Sequence, residues 1–260
     1  MKLSGRTVVF IPGFAFAMAL LLSVAAVAAP YPKDKDSEKE HEAQKIDSGS
    51  FGVFMSGHRV GTETFSIFQS NTGSVIKSEF KTENDPNQAV QNSVLQLTAG
   101  GEIRRYEWKE VSPGKAESFV APNDQFLNQK WSSGPQDKPH EQPYLLPPST
   151  SILDDYFFIH REVLVWKFMA AICTKLANGQ MQCLTKQRTQ FGTLDPRQHS
   201  SAPLSAEYLG REKINFKGSP QEFNKVEFKT DAGNWQLWLD DQFKVMRIVI
   251  EGDNTEVSRD

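Results

Sequence analysis

Glu63 stands two residues before Phe65 and four before Ile67. Side chains of a strand alternate faces with a period of two, so its carboxylate shares their apolar phase. An inward carboxylate is costly unless paired. Glu63 therefore binds a polar head group, acts as a general acid or base with a raised pKa, or lies at a sheet edge paired with Arg59 or another cation. His58 and Arg59 follow Gly57, where polar residues are ordinary turn material; the functional alternative is the rim of a ligand site. His160 with Asp154, Asp155 and Glu162 gathers titratable groups in one short segment. A buried His can transfer protons, whereas helix capping and solvation account for the aspartates without any chemistry. Their spacing matches no H-E-x-x-H metal site.

The nucleophile-elbow, Walker, dinucleotide-binding and paired-cysteine zinc patterns are all missing from the chain. No catalytic residue, metal or cofactor is assigned. Cys173 and Cys183 flank Leu176-Ala177-Asn178-Gly179-Gln180. A type I turn with Gly179 in the bulge position pairs Leu176 with Gln180. Continuing that register sets the cysteines opposite one another in a close, non-hydrogen-bonded pair suited to a disulfide. The eighteen Phe and five Trp either fill a core or line a cavity for an apolar ligand. Trp238 alternates out of phase with Leu237 and Leu239, which predicts an exposed aromatic.

These residues must be positioned by short alternating segments separated by Gly, Asn and Pro, the pattern of antiparallel sheets. Strands are expected over 51–55, 60–68, 74–82, 90–98 and 102–110, and further on near 116–121 and 125–131. Residues 132–148 hold five prolines and read as an irregular crossover. A helix is expected over about 151–170, capped by Ser149, Thr150 or Ser151, with Asp154 and Asp155 in its first turn. Its burial stripe is Ile152, Tyr156, Ile159, Val163, Trp166 and Ala170. After the cysteine hairpin and a loop containing Pro and Ser, strands resume at 206–216, 225–230, 235–239 and 244–251. The fold class is mainly β: a curved antiparallel sheet or partly open barrel with one helix packed against it.

Lys2 and Arg6 precede an apolar run from Thr7 to Val27 that ends in Ala26-x-Ala28, the form of a cleaved signal peptide over 1–28. An uncleaved anchor is the rival, since about 20 apolar residues span a bilayer. Residues 29–48 read as a disordered charged leader and 49–260 as a single β-rich domain, periplasmic or secreted. Removing Lys2 and Arg6 takes the net charge from −3 to −5, so the dense basic surface that nucleic-acid binding needs is absent.

The segment Phe51-Gly52-Val53-Phe54-Met55-Ser56-Gly57-His58-Arg59-Val60-Gly61-Thr62-Glu63-Thr64-Phe65 resembles the first hairpin of uncharacterised bacterial periplasmic proteins with a G-x-x-x-G-x-E-x-F signature. The stretch from Trp235 to Gln242 and on to Arg259 is similar to their closing hairpin. In outline such proteins resemble the LolA and LolB lipoprotein carriers, whose incompletely closed sheets cover an apolar concavity with helix or loop. The resemblance implies this fold and an apolar ligand and brings no catalytic residues. The leading reading is a non-enzymatic envelope protein that binds a hydrophobic or amphipathic molecule, with Arg59 and Glu63 at the mouth and Tyr156, Trp166 and Trp238 as further ligand residues. This reading calls for a continuous apolar cavity. The alternatives are an envelope protein-interaction module with an exposed apolar patch, and a hydrolase in which Glu63 or His160 converges with the helix carboxylates.

Overall fold

Alternating side chains call for a sheet with one covered face. The computed structural model describes residues 43–83, 87–179, 181–231, 233–252 and 254–260. The chain runs through β1 (Gln44–Met55), β2 (His58–Ser70), β3 (Gly73–Thr82), β4 (Val90–Thr98), β5 (Ile103–Ser112), β6 (Glu117–Asn123), β7 (Phe126–Ser132) and β8 (His140–Tyr144), each antiparallel to the one before. The short β9 (Ser151–Ile152), helix α1 (Ile159–Ile172) and a hairpin of β10 (Cys173–Lys175) and β11 (Met181–Cys183) follow. A second meander comprises β12 (Arg188–Asp195), β13 (Ser200–Phe216), β14 (Ser219–Thr230), β15 (Gly233–Leu239), β16 (Val245–Ile250) and β17 (Thr255–Arg259).

Among the described residues, fifteen strands form one sheet. Strand β17 pairs antiparallel with β1, Phe51 opposite Arg259 and Met55 opposite Thr255, and so zips the two meanders together. Strand β9 adds to β12 in parallel. The ends of the sheet, β8 and β9, are not paired with each other, so the mainly β, curved antiparallel sheet stays open rather than closing into a barrel. Its inner phase supplies Ile67, Leu95 and Val120 from the first meander and Val226, Leu237 and Ile248 from the second. These join Leu164, Val165 and Phe168 of α1 in one core. Each such side chain contributes roughly 1.5–3 kcal/mol on burial, so the helix is held from both halves of the sheet.

The helix starts at Ile159, not Ser151. Ser151 and Ile152 instead pair with Thr193 and Leu194, and Asp154 is engaged by residues far away in sequence, which leaves the first turn to form later. Part of the predicted leader is also ordered: residues 44–48 belong to β1, where Asp47 is buried and paired with Lys244 and Arg259. The Pro-rich crossover contains β8, and the loop before residue 206 is strand from Ser200 onward. The signal segment 1–28 and the leader up to residue 42 lie outside the described residues.

Candidate functional site

The phase argument for Glu63 holds, and the edge pairing with Arg59 does not. Glu63 is fully buried on the inner side of β2. Its carboxylate accepts from Ser78 Oγ–H at 2.6 Å, from the Phe158 N–H at 2.7 Å and from the Ile159 N–H at 3.3 Å. It thus caps α1 from outside the helix, satisfying amide groups that every helix start leaves open. Burial pushes its pKa up to about 7, against those three hydrogen bonds and the nearby Arg161 charge. Gly61 makes room beside it: a Cβ there would meet Phe80 Cζ at 2.5 Å. Arg59 lies on the other face with Thr62, in ion pairs with Glu83 at 3.1 Å and Asp260 at 2.8 Å.

The first turn of α1 carries three ionisable side chains into the core. His160 meets Tyr106 edge-on and Phe157 at a tilt, and neither ring nitrogen finds a hydrogen-bond partner among the described residues. Burial pushes its pKa down to about 4. Arg161 is buried, donates to the Asp154 carbonyl at 2.8 Å and lies 3.9 Å from the centroid of Trp235. Glu162 Oε2 accepts from the Val245 N–H at 2.7 Å and from Arg259 at 2.5 Å, while its other oxygen lacks a partner among the described residues. Burial raises Glu162 to about 8, only partly countered by Arg259. For Asp47, burial pushes the pKa up, but Lys244 and Arg259, which donate to its carboxylate at 2.9 and 3.0 Å, help hold it below the usual carboxylate range.

Beyond the start of the helix, cross-strand partners place Ser78, Ser93, Trp108, Ser118 and Trp131 in one row across the inner face of β3 to β7. From Ser93 onward small hydroxyls alternate there with indoles. The β12–β13 turn roofs the row. Arg197 is sandwiched between Trp108 at 4.2 Å and Tyr156 at 4.3 Å and pairs with Asp154 at 3.2 Å. Asp154 also accepts from Tyr106 O–H at 2.9 Å. His199 stacks on Trp131, whose other neighbour is His140 of β8, and Gln129 donates to the Pro196 carbonyl. Asp195 is pushed up to about 6 by burial and by the neighbouring Asp155 and Asp154, against backbone hydrogen bonds at the turn. This roof was not foreseen from the sequence; two aromatic residues in register at Trp108 and Trp131 were the available signal.

The five expected ligand residues therefore do not form one site. Glu63, Tyr156 and Trp166 lie on the helix side, where Trp166 Nε1–H donates to the Phe243 carbonyl at 2.9 Å. Arg59 and Trp238 lie on the opposite face. Trp238 is not exposed: it is 6 % accessible because Phe216 and Phe223 of the long β13–β14 hairpin pack on it, and its indole N–H donates to Glu212 at 2.7 Å. Cys173 and Cys183 are paired opposite each other as expected and form the disulfide. The concavity is filled by α1: the space beside it, lined by Leu95, Thr150, His160 and Leu164, is about 20 Å³. Among the described residues, α1 occupies the place where the ligand cavity was expected, and His160 makes no hydrogen bond to a carboxylate.

No protein-family model matches the chain, and no curated protein is similar to it. Among solved structures it is similar to a DUF1089 family protein from Pseudomonas aeruginosa, at 10 % identity and a TM-score of 0.43 over 74 % of this chain and 90 % of that one. So loose a match carries neither fold nor function across.

Proposed function

We propose that the chain is an exported, non-enzymatic envelope protein that binds an amphipathic molecule on the concave face of its sheet, with α1 as the element that yields to the ligand. The observation that carries this reading is the way α1 is seated. A permanent core helix gains most from an apolar buried face. This one buries His160, Arg161 and Glu162 in succession and leaves both nitrogens of His160 and one oxygen of Glu162 without a partner among the described residues. Each such group costs about 1–3 kcal/mol, and local violations of this kind concentrate at functional sites. In the row under the β12–β13 turn, Ser93 Oγ is buried without a partner among the described residues, and a polar head can engage it and the neighbouring hydroxyls once the turn that covers Trp108 and Trp131 lifts.

Strand addition by a partner protein is less well supported. The β8 edge carries Glu141 and Pro143, and β9 is only two residues long, both devices that discourage edge pairing. Export is supported by Lys2, Arg6, the apolar run and Ala26-x-Ala28. The test is hydrogen exchange of the purified chain titrated with a pyrene-labelled phospholipid. Saturable binding accompanied by faster exchange across 159–172 is expected. Absence of binding, or binding that leaves those amides as protected as before, overturns the reading.

A further inference from the structure

We infer that the disulfide hairpin β10–β11 is a docking tip for an anionic lipid bilayer. The hairpin stands outside the main sheet and forms its own two-stranded ladder. Its base is tied by the Leu184 N–H to the Ile172 carbonyl at 3.1 Å and by the Lys186 N–H to the Tyr208 carbonyl at 2.9 Å. The half-buried cysteines pack against the core, whereas residues 174–179 are exposed throughout.

Apolar side chains concentrate on this projection. Of nine large hydrophobic residues exposed among the described residues, Leu176, Met181 and Leu184 lie here, 39, 47 and 57 % accessible. They contribute nothing to the core: Met181 stands opposite Lys175 in the ladder, and Leu176 and Leu184 alternate onto the other face, so exposed aliphatic groups clothe both sides of the projection. The charge around them selects the partner. From Val163 to Leu194 the chain contains no Asp or Glu, although its net charge is −3. Of the four cations in that stretch, Arg188 is paired with Glu207 and Lys167 donates to the Ser149 carbonyl. Lys175 and Lys186 are exposed and in no ion pair among the described residues. Aliphatic side chains flanked by free lysines suit the interface of an anionic bilayer: the apolar groups enter the boundary region while the ammonium groups stay at the phosphates. The disulfide fixes the hairpin beforehand, so little ordering is lost on docking. This inference rests on exposure and charge alone, independently of ligand binding on the concave face.

The test is hydrogen exchange of the full chain with phosphatidylcholine vesicles, with and without phosphatidylglycerol. Reading the hairpin peptides separately keeps any contribution of the N-terminal apolar run apart. Slower exchange over 173–187 is expected on the anionic vesicles alone, and it is lost in the triple variant Leu176→Asp, Met181→Asp, Leu184→Asp. The variant Lys175→Gln, Lys186→Gln changes only exposed side chains and keeps the fold. It is expected to bind about 25-fold more weakly, roughly fivefold per lysine. No protection over the hairpin, equal protection on phosphatidylcholine alone, or unchanged affinity of the lysine variant overturns the inference.

Discussion

At the scale of single residues, Glu63 sets the clearest test because two effects oppose each other on one carboxylate. Two helix amides and Ser78 favour its charged form, while complete burial favours the neutral one and prevails, with a pKa near 7 against an ordinary 4.5. Between those values the unfolded chain has released a proton that the folded protein keeps. The stabilisation is therefore fully present below pH 4.5 and is lost as pH rises through about 7, on the order of 1–3 kcal/mol in all. Glu63→Gln never ionises and keeps a carbonyl oxygen for the Phe158 amide, while its Nε2–H₂ donates to Ser78 Oγ and gives up the longer contact with the Ile159 amide. Urea titration should place it within about 1 kcal/mol of the parent at pH 5 and on the order of 1–3 kcal/mol more stable at pH 8. A less stable variant at pH 8 would mean that the ionised carboxylate is the working cap.

At the scale of elements, α1 has a polar first turn that is incompletely satisfied among the described residues. His160→Leu removes two buried nitrogens that lack partners among the described residues, and the slightly larger side chain has the adjacent space of about 20 Å³ to occupy. The expected result is a gain of about 1–2 kcal/mol, with slower amide exchange across 159–172. If the variant is instead destabilised, the imidazole has a polar role. The same helix shows where the sequence was legible. Strand phase offered the inward Glu63 beside the alternative of an edge ion pair, and the turn chemistry around Gly179 set Cys173 opposite Cys183. The apolar periodicity announced a helix but assigned the wrong stripe: Leu164, Val165, Phe168 and Met169 are buried, whereas Val163 and Trp166 are half-buried and Tyr156 and Ala170 exposed. The start of the helix was misplaced because Asp154 resembles a first-turn acid, yet it is held by Tyr106 and Arg197, 48 and 43 residues away. Trp238 was assigned the correct phase and the wrong exposure for the same reason: Phe216 and Phe223, which cover it, belong to another hairpin. Local patterns report which face a side chain takes, and only the tertiary fold determines what lies over that face.

At the scale of the whole molecule, the buried acids act together because they hold the same few elements. Glu63 faces Arg161, Glu162 faces Arg259 and Asp47, and Asp195 faces Asp154 and Asp155 beneath the β12–β13 turn. Burial raises all three, to about 7, 8 and 6, so each contributes stability that fades as pH climbs through those values. His160 runs the other way: its neutral form is buried, so stability is lost as pH falls from 6.5 through about 4. Asp47, held low by its partners, adds a further loss in strong acid. The sum is an optimum in the mildly acidic range and a decline toward alkaline pH. A net loss on the order of 2–5 kcal/mol between about pH 5.5 and 8.5 should lower the thermal midpoint by roughly 5–15 °C. Calorimetry across that range checks it, and the double variant Glu63→Gln, Glu162→Gln should flatten the alkaline limb. A midpoint that rises toward pH 8.5 would mean that the acids around α1 are ionised in the folded state. Because Glu63 and Glu162 both bind α1 to the sheet, the alkaline loss falls first on the helix that fills the concavity. Exchange across 159–172 should therefore accelerate with pH beyond the intrinsic rate increase, and before the strands of the sheet do.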